Sequence, residues 1–139
     1  MKTIHVAAAV IRRGDTIFAT ARGYGDWRGW WEFPGGKLEP GETAPEALRR
    51  EIQEELDAEI RVGALLDTVE YDYPAFHVVL DCFWAELVGD GEPVLREAED
   101  ARWLTAETLE DVKWLPSDLA VLDKIRAALI SSDSGEDKA

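Results

Sequence analysis

Residues 44–56 set Ala44, Leu48, Ile52 and Leu56 four positions apart and place a carboxylate, Glu55, on the same stripe. At about 100° per residue this run is one face of an α-helix, which has to lie against a core. Glu51 and Glu54 flank the stripe. The chain must therefore fold so that an apolar surface accepts acids at its margin. Thr43 and Glu46 supply a capping box, and Pro45 falls in the first turn, where a missing N–H costs little.

The remaining segments offer a sheet for this helix. Ile4–Arg12 and Thr16–Ala21 favour strands, and Arg13-Gly14-Asp15 between them is a turn signal, so the pair reads as a hairpin. A glycine- and tryptophan-rich loop, Gly23–Trp30, leads through Trp31-Glu32-Phe33 to Pro34-Gly35-Gly36. Residues 60–71 and 76–87 read as further strands, the second rich in aromatic and β-branched side chains. Pro116–Ile130 carries Leu119, Leu122, Ile125 and Leu129 at helical spacing and reads as a closing amphipathic helix. Strands, a helix, more strands and a helix make a mixed α/β fold. With 139 residues, no linker and no repeat, residues 1–130 are expected to form one domain. The polar segment 131–139 has no periodicity and is expected to be a disordered tail.

Composition removes several function classes. The longest apolar runs, such as Val6–Ile11, fall far short of the roughly 20 residues of a membrane helix, and no signal-peptide pattern opens the chain, so a cytoplasmic protein without membrane contact is expected. Cys82 is the only cysteine, which excludes an internal disulfide or a thiolate metal cluster. It reads as inert strand core, and His5 and His77, isolated within strand patterns, read as structural. A formal charge of −14 repels a phosphate backbone, so no nucleic-acid duplex is expected as a partner. Any anionic partner would need cations as mediators.

Between Glu39 and Glu59 the chain holds eight acids against two bases. An acidic stretch is ordinarily a solvated helix face. Here the apolar stripe draws Glu55, Glu51 and Glu54 toward one surface, where poorly hydrated carboxylates either stay protonated or share a cation. An all-oxygen set favours a hard divalent ion, and Mg²⁺ tolerates a shell completed by water and phosphate oxygens.

The run Gly36-Lys-Leu-Glu-Pro-Gly-Glu42, followed after seven residues by Arg50-Glu51-Ile52-Gln53-Glu54-Glu55, resembles the Nudix box, G-x5-E-x7-R-E-U-x-E-E-x-G-U, where U is bulky and aliphatic. Asp57 stands where the box has glycine and Ala58 where it has an aliphatic residue. Aspartate at a left-handed helix end costs about 1 kcal/mol, a departure that bears on the helix terminus and not on the acids. Ile4–Ala21, Trp31–Lys37 and Leu115-Pro116-Ser117-Asp118 extend the likeness to the MutT-type branch. The resemblance implies the Nudix fold, an α/β/α sandwich around a mixed β-sheet. It also implies Mg²⁺-dependent hydrolysis of (deoxy)nucleoside triphosphates to monophosphate and pyrophosphate, with Mn²⁺ as a possible substitute.

By the same resemblance Glu51, Glu54 and Glu55 hold the metal with the Gly36 carbonyl, while Lys37 and Glu42 support the site and Arg50 orients the carboxylates. Glu97, six residues before Trp103, matches a loop glutamate that binds metal or activates water; Glu54 is the other candidate for the base. An exposed loop acid is the plainer reading of Glu97. Arg22 is placed to touch substrate, Glu32 and Phe33 to border the nucleoside pocket, and Asp118 to read a base edge. Arg22 also reads as a surface arginine, and Asp118 as a first-turn helix acid. An ionised Asp118 only accepts hydrogen bonds, which suits the cytosine amino group or the N1–H and N2–H edge of guanine. Trp27 and Trp30 are candidates to stack on a base, against a plain packing role.

The expected substrate is a small-molecule nucleotide, either an oxidised or modified one such as 8-oxo-dGTP, whose removal cleans the nucleotide pool, or (d)CTP. ADP-ribose and dinucleoside polyphosphates are alternative substrates that share the box. A non-catalytic nucleotide sensor is a further alternative, against which all the box acids are present. A calcium buffer lacks the Asp/Asn loop of an EF-hand. The chain is expected to act as a monomer or a homodimer.

Overall fold

The computed structural model describes residues 1–137. The strands are β1 (Lys2–Arg13), β2 (Thr16–Ala21), β3 (Trp31–Glu32), β4 (Gly35–Lys37), β5 (Ile60–Asp72), β6 (Phe76–Leu87) and β7 (Asp100–Leu104). The helices are α1 (Ala44–Leu56), α2 (Pro116–Leu119) and α3 (Leu122–Asp137), with a 3₁₀ turn at Leu109–Asp111. The expected hairpin forms, with Arg12 opposite Ile17 and Arg13 opposite Thr16. Gly14 makes its turn at φ 63°, a region that glycine enters without a Cβ penalty.

The sheet runs β3-β2-β1-β6-β5, with β4 added to β1 and β7 to β2. β1 and β6 are parallel over Lys2–Ile11 and Phe76–Ala85, while the other pairings are antiparallel. Ala7–Ile11 are all buried because β1 is covered on both faces. Ala8 and Val10 join Leu122, Ile125 and Leu129 of α3 in one core, and Ala7, Ala9 and Ile11 join Leu48, Ile52 and Leu56 of α1 in another. The period-2 alternation of β1 thus serves two cores, giving an α/β/α sandwich around a mixed sheet. Cys82 is fully buried in the first of these cores, and burial pushes its thiol upward, consistent with an inert packing residue.

Helix α1 keeps the bounds read from its sequence. Thr43 Oγ1 accepts the Glu46 N–H at 3.3 Å, and Glu46 Oε1 accepts the Thr43 N–H at 2.9 Å. Asp57 takes the left-handed position at φ 50°, ψ 43°, and its N–H bonds the Gln53 carbonyl, so the helix stops there despite the missing glycine.

The closing helix differs from its expectation. It divides into α2 and α3, and Leu119 is 53% exposed while Val121 is fully buried. The Val121 N–H bonds the Asp118 carbonyl at 3.1 Å, a tight turn that re-aims the chain so that Val121 takes the inward place assigned to Leu119. The backbone of α3 continues to Asp137, past the boundary at residue 130, and residues 138 and 139 lie outside the described residues. β7 was not read from the sequence. Its Asp100–Leu104 span forms by pairing with β2.

Candidate active site

The acids of α1 meet the sheet where β4 crosses the helix. Gly36 pairs with Ala7 in β1, and a Cβ on Gly36 would lie 2.4 Å from the Glu51 carboxyl carbon. Only a glycine lets the strand pass that close, which leaves its backbone beside the carboxylate. Arg50 braces this corner. Its Nε and Nη2 donate to both oxygens of Glu42 at 2.9 Å, Nη1 donates to Glu51 Oε1 at 2.7 Å, and Nη2 donates to the Lys37 carbonyl at 3.1 Å. Glu54 Oε2 lies 3.6 Å from the same guanidinium. The fork of donors holds Glu42 down at about 2 and raises the Arg50 pKa further.

Glu55 is different. Burial, and then the charges of Glu51, Glu32 and Glu97, push its carboxyl up to about 9. Glu51, Glu32 on β3 and Glu97 from the distant loop act on Glu55 as like charges, whereas Glu54, expected to join them, is exposed and lies beside Arg50. Donor chemistry makes the fit to a hard divalent ion direct: crowded oxygens otherwise hold a proton that a cation would replace. Among the described residues, no group of three His, Cys, Asp or Glu side chains is placed to hold a metal ion. Water and substrate oxygens would have to complete the shell, as Mg²⁺ accepts.

Glu97 reaches the site because its loop is strapped down. The Val94 and Arg96 N–H groups bond the Leu56 and Glu55 carbonyls at 2.8 and 3.1 Å, and the Glu99 N–H bonds Ala21 at 3.0 Å. Gly23 makes room, since a Cβ there would sit 2.4 Å from the Glu97 carbonyl oxygen. The Glu97 charge is the leading cause that raises the Tyr24 phenol, so the side chain faces the same space. It is an exposed loop acid, but one that lines the same cavity as Glu55 and whose charge adds to the rise of that carboxyl.

A cavity of about 750 Å³ runs from Gly36, Glu51, Glu54, Glu55 and Glu97 to Phe33, Tyr73, Ser117 and Asp118. Arg22, Glu32 and Lys37 also line it. Arg22 is neither a free phosphate grip nor a plain surface arginine: Nε and Nη2 fork onto Glu32 at 3.1 and 2.8 Å. Phe33 is buried against Trp114 at 4.6 Å between ring centroids, so it borders the cavity as a packed wall.

Asp118 keeps the first-turn position of its plain reading, but it is a buried acid that faces the cavity. It lies in the first turn of α2 but is only 5% exposed, and its Oδ2 accepts the Phe33 N–H at 2.9 Å. Burial, and then the Glu32 charge, push the carboxyl up to about 7, against the pull of the Phe33 and Ser117 hydrogen bonds.

Of the tryptophans in the glycine-rich loop, Trp27 lines the cavity, while Trp30 backs it edge-on at 4.7 Å and carries Lys113 Nζ 4.0 Å from its ring centroid. Trp27 sits at φ 66°, a left-handed position that costs a non-glycine residue energy and is held here by ring contacts to Trp30 and Tyr73. Tyr24, Tyr73, Phe76 and Ser117 line the cavity but were not singled out from the sequence. The one available signal was Tyr73-Pro74 in the turn between two strand patterns. The histidines are structural: His5 bonds Asp81 at 2.6 Å, and His77 bonds Asp72 and Glu70 at 2.6 and 2.8 Å.

A sequence model of the NUDIX domain matches residues 1–125. The chain is 33% identical over 128 residues to an 8-oxo-dGTP diphosphatase of Escherichia coli K12, covering 91% of this chain and 98% of that one. It is 32% identical to the CTP pyrophosphohydrolase of the same organism, covering 91% and 94%. The crystal structure of a MutT NUDIX hydrolase from Burkholderia pseudomallei superposes with a TM-score of 0.79 at 26% identity, covering 89% of this chain and 98% of that one. With the box acids gathered on α1 against Gly36 and the match spanning nearly the whole chain, this protein belongs to the Nudix hydrolase family.

Proposed function

We propose that the chain hydrolyses (deoxy)nucleoside triphosphates to monophosphate and pyrophosphate with Mg²⁺, for which Mn²⁺ can substitute. We further propose that the preferred substrate carries an oxidised or modified base, as in 8-oxo-dGTP, or is a cytidine nucleotide. Nudix hydrolases in general need a divalent metal, so the general requirement is a family property and the identity of the ion is the proposal. The observation that carries the reading is one cavity lined both by the acids Glu51, Glu54, Glu55 and Glu97 and by the aromatic side chains of Trp27, Phe33 and Tyr73 with the buried Asp118. The two relatives named above act on triphosphates by their names, which favours this substrate class.

Glu51, Glu54, Glu55 and Glu97, with the Gly36 carbonyl, are the residues that would hold the ion. When bound, the ion supplies charge neutralisation on phosphate oxygens and a lowered pKa for the attacking water. Arg50 holds the Glu51 carboxylate in place through its 2.7 Å bond. Lys37, on β4 beside Gly36, adds positive charge to the same lining. Glu54 and Glu97 are the candidates to take the proton of the water, Glu54 being the more exposed of the α1 acids named here. Arg22 and Glu32 neutralise each other in the cavity lining, so a nucleotide meets a polar but nearly uncharged pair there.

Product-resolved hydrolysis of dGTP, 8-oxo-dGTP, dCTP, CTP, 5-methyl-dCTP, ADP-ribose and a dinucleoside polyphosphate, with and without Mg²⁺, tests the reading. Monophosphate plus pyrophosphate, strongest for one triphosphate and strongly reduced by Glu54→Gln, is expected. Preferred cleavage of ADP-ribose or a dinucleoside polyphosphate would replace the substrate class, and nucleotide binding without turnover would make the chain a sensor.

A further inference from the structure

We infer that Tyr73 and Ser117 form, with Asp118, a directed hydrogen-bond relay that sets how the carboxylate is presented to the cavity, making Tyr73 a specificity-determining positioning residue. The inference rests on the proposed nucleotide reading, but the relay itself is a property of the free protein.

The direction of the relay follows from counting protons. Ser117 Oγ donates to Asp118 Oδ1 at 3.2 Å, which uses its only proton. The Tyr73 hydroxyl lies 2.9 Å from the same Oγ and, while Asp118 is ionised, is therefore the donor in that contact. The Ser117 N–H in turn donates to the Tyr73 hydroxyl oxygen at 3.3 Å, so the phenol is engaged as donor and as acceptor. On the other carboxylate oxygen, Oδ2, the Phe33 N–H arrives at 2.9 Å. Each oxygen of Asp118 thus has one donor from the protein and lone-pair capacity left for a ligand.

The relay is buried, and successive hydrogen bonds in low dielectric polarise one another. It also joins separate walls of the cavity. Tyr73 sits in the turn between β5 and β6, 44 residues from Ser117, and its ring packs on Trp27 at 5.5 Å and Phe76 at 5.2 Å. A base lying on this aromatic wall and read by Asp118 would meet the same residue twice, at its face and through its edge.

The charged and titratable groups facing Asp118 are Glu32 on β3, Arg22 after β2, Tyr73 in the hairpin turn and Cys82 on β6. Glu32 raises the carboxyl and Arg22 lowers it, while the Ser117 hydroxyl favours the ionised form. Without the Tyr73 proton, Ser117 Oγ loses its donor partner and its own proton is free to rotate away. Asp118 would then hold a proton to higher pH. An ionised Asp118 only accepts hydrogen bonds, whereas a protonated one also donates, so the two forms prefer different base edges.

The test uses the full chain and the variants Tyr73→Phe, Ser117→Ala and Ser117→Thr. The Asp118 carboxyl is titrated by ¹³C NMR without metal or nucleotide, and kcat and KM are measured against pH for a purine and a pyrimidine triphosphate. Tyr73→Phe keeps the ring and its packing, so it guards against a folding defect in Ser117→Ala. We expect the Asp118 midpoint to rise in Tyr73→Phe and Ser117→Ala and to return in Ser117→Thr. Tyr73→Phe should raise KM with kcat held within about twofold, and should change the purine-to-pyrimidine ratio of kcat/KM by roughly tenfold, the size of one unit of protonation free energy. An unmoved Asp118 midpoint in both Tyr73→Phe and Ser117→Ala, or an equal loss for both bases, overturns the relay. If the wild-type protein hydrolyses no nucleotide, the proposed function fails, while the carboxyl titration still decides the relay by itself.

Discussion

At the residue scale, Glu55 couples the site to stability. Its carboxyl moves from an ordinary 4.5 to about 9 on folding, because burial and neighbouring acids penalise the charge. A raised folded-state value means that the folded protein binds the proton more tightly. This contribution is complete below the unfolded value and is lost as pH rises through the folded one. Asp118, raised from 3.8 to about 7, acts in the same sense over a lower window. The metal-free protein should therefore lose thermal stability between about pH 4 and about pH 9, and Glu55→Gln should flatten the upper part of that fall. Added Mg²⁺ should raise Tm more at the alkaline end, where the cation no longer competes with the proton. Calorimetry across this range checks both, and a metal-free Tm that climbs with pH would contradict a crowded, buried Glu55.

At the element scale, α1 carries the acids, so its termini matter more than those of other helices. The reciprocal Thr43–Glu46 bonds satisfy backbone donors at its start. Thr43→Ala should cost about 1 kcal/mol in urea unfolding and leave kcat of the folded fraction unchanged, because Glu51, Glu54 and Glu55 lie at least two turns further along. A large fall in kcat would mean that the cap also aligns the acids. This helix was legible in full, since apolar spacing, capping box, Pro45 and the polar end at Asp57 are all local signals. The closing helix was legible only in composition. Its division at Ala120–Val121 follows from what Val121 and Leu122 pack against, and no local residue announces it.

At the scale of the whole molecule, a chain of charge −14 meets a polyanionic nucleotide. Screening should then help association: the Debye length falls from about 30 Å at 0.01 M salt to about 8 Å at 0.15 M, shorter than the span of the domain. With metal saturating, KM for a triphosphate should fall as ionic strength rises over that range. Steady-state kinetics at fixed free Mg²⁺ measure it, and a KM that rises instead would show that local positive charge near Lys37 governs encounter.

The sequence by itself determined the hairpin of β1 and β2, the α1 helix with its stripe of acids, and the identity of the box, because each is written in residues close along the chain. The cavity lining around Asp118 depended on tertiary structure. Phe33 and Asp118 bond across 85 positions, and Tyr73 and Ser117 across 44, so no periodicity links them. That the first-turn acid Asp118 is buried, and that Arg22 is forked onto Glu32 rather than free, is a matter of burial and partner. Those are properties of what packs opposite a side chain, and only the folded sheet with its helices on both faces supplies the opposite wall.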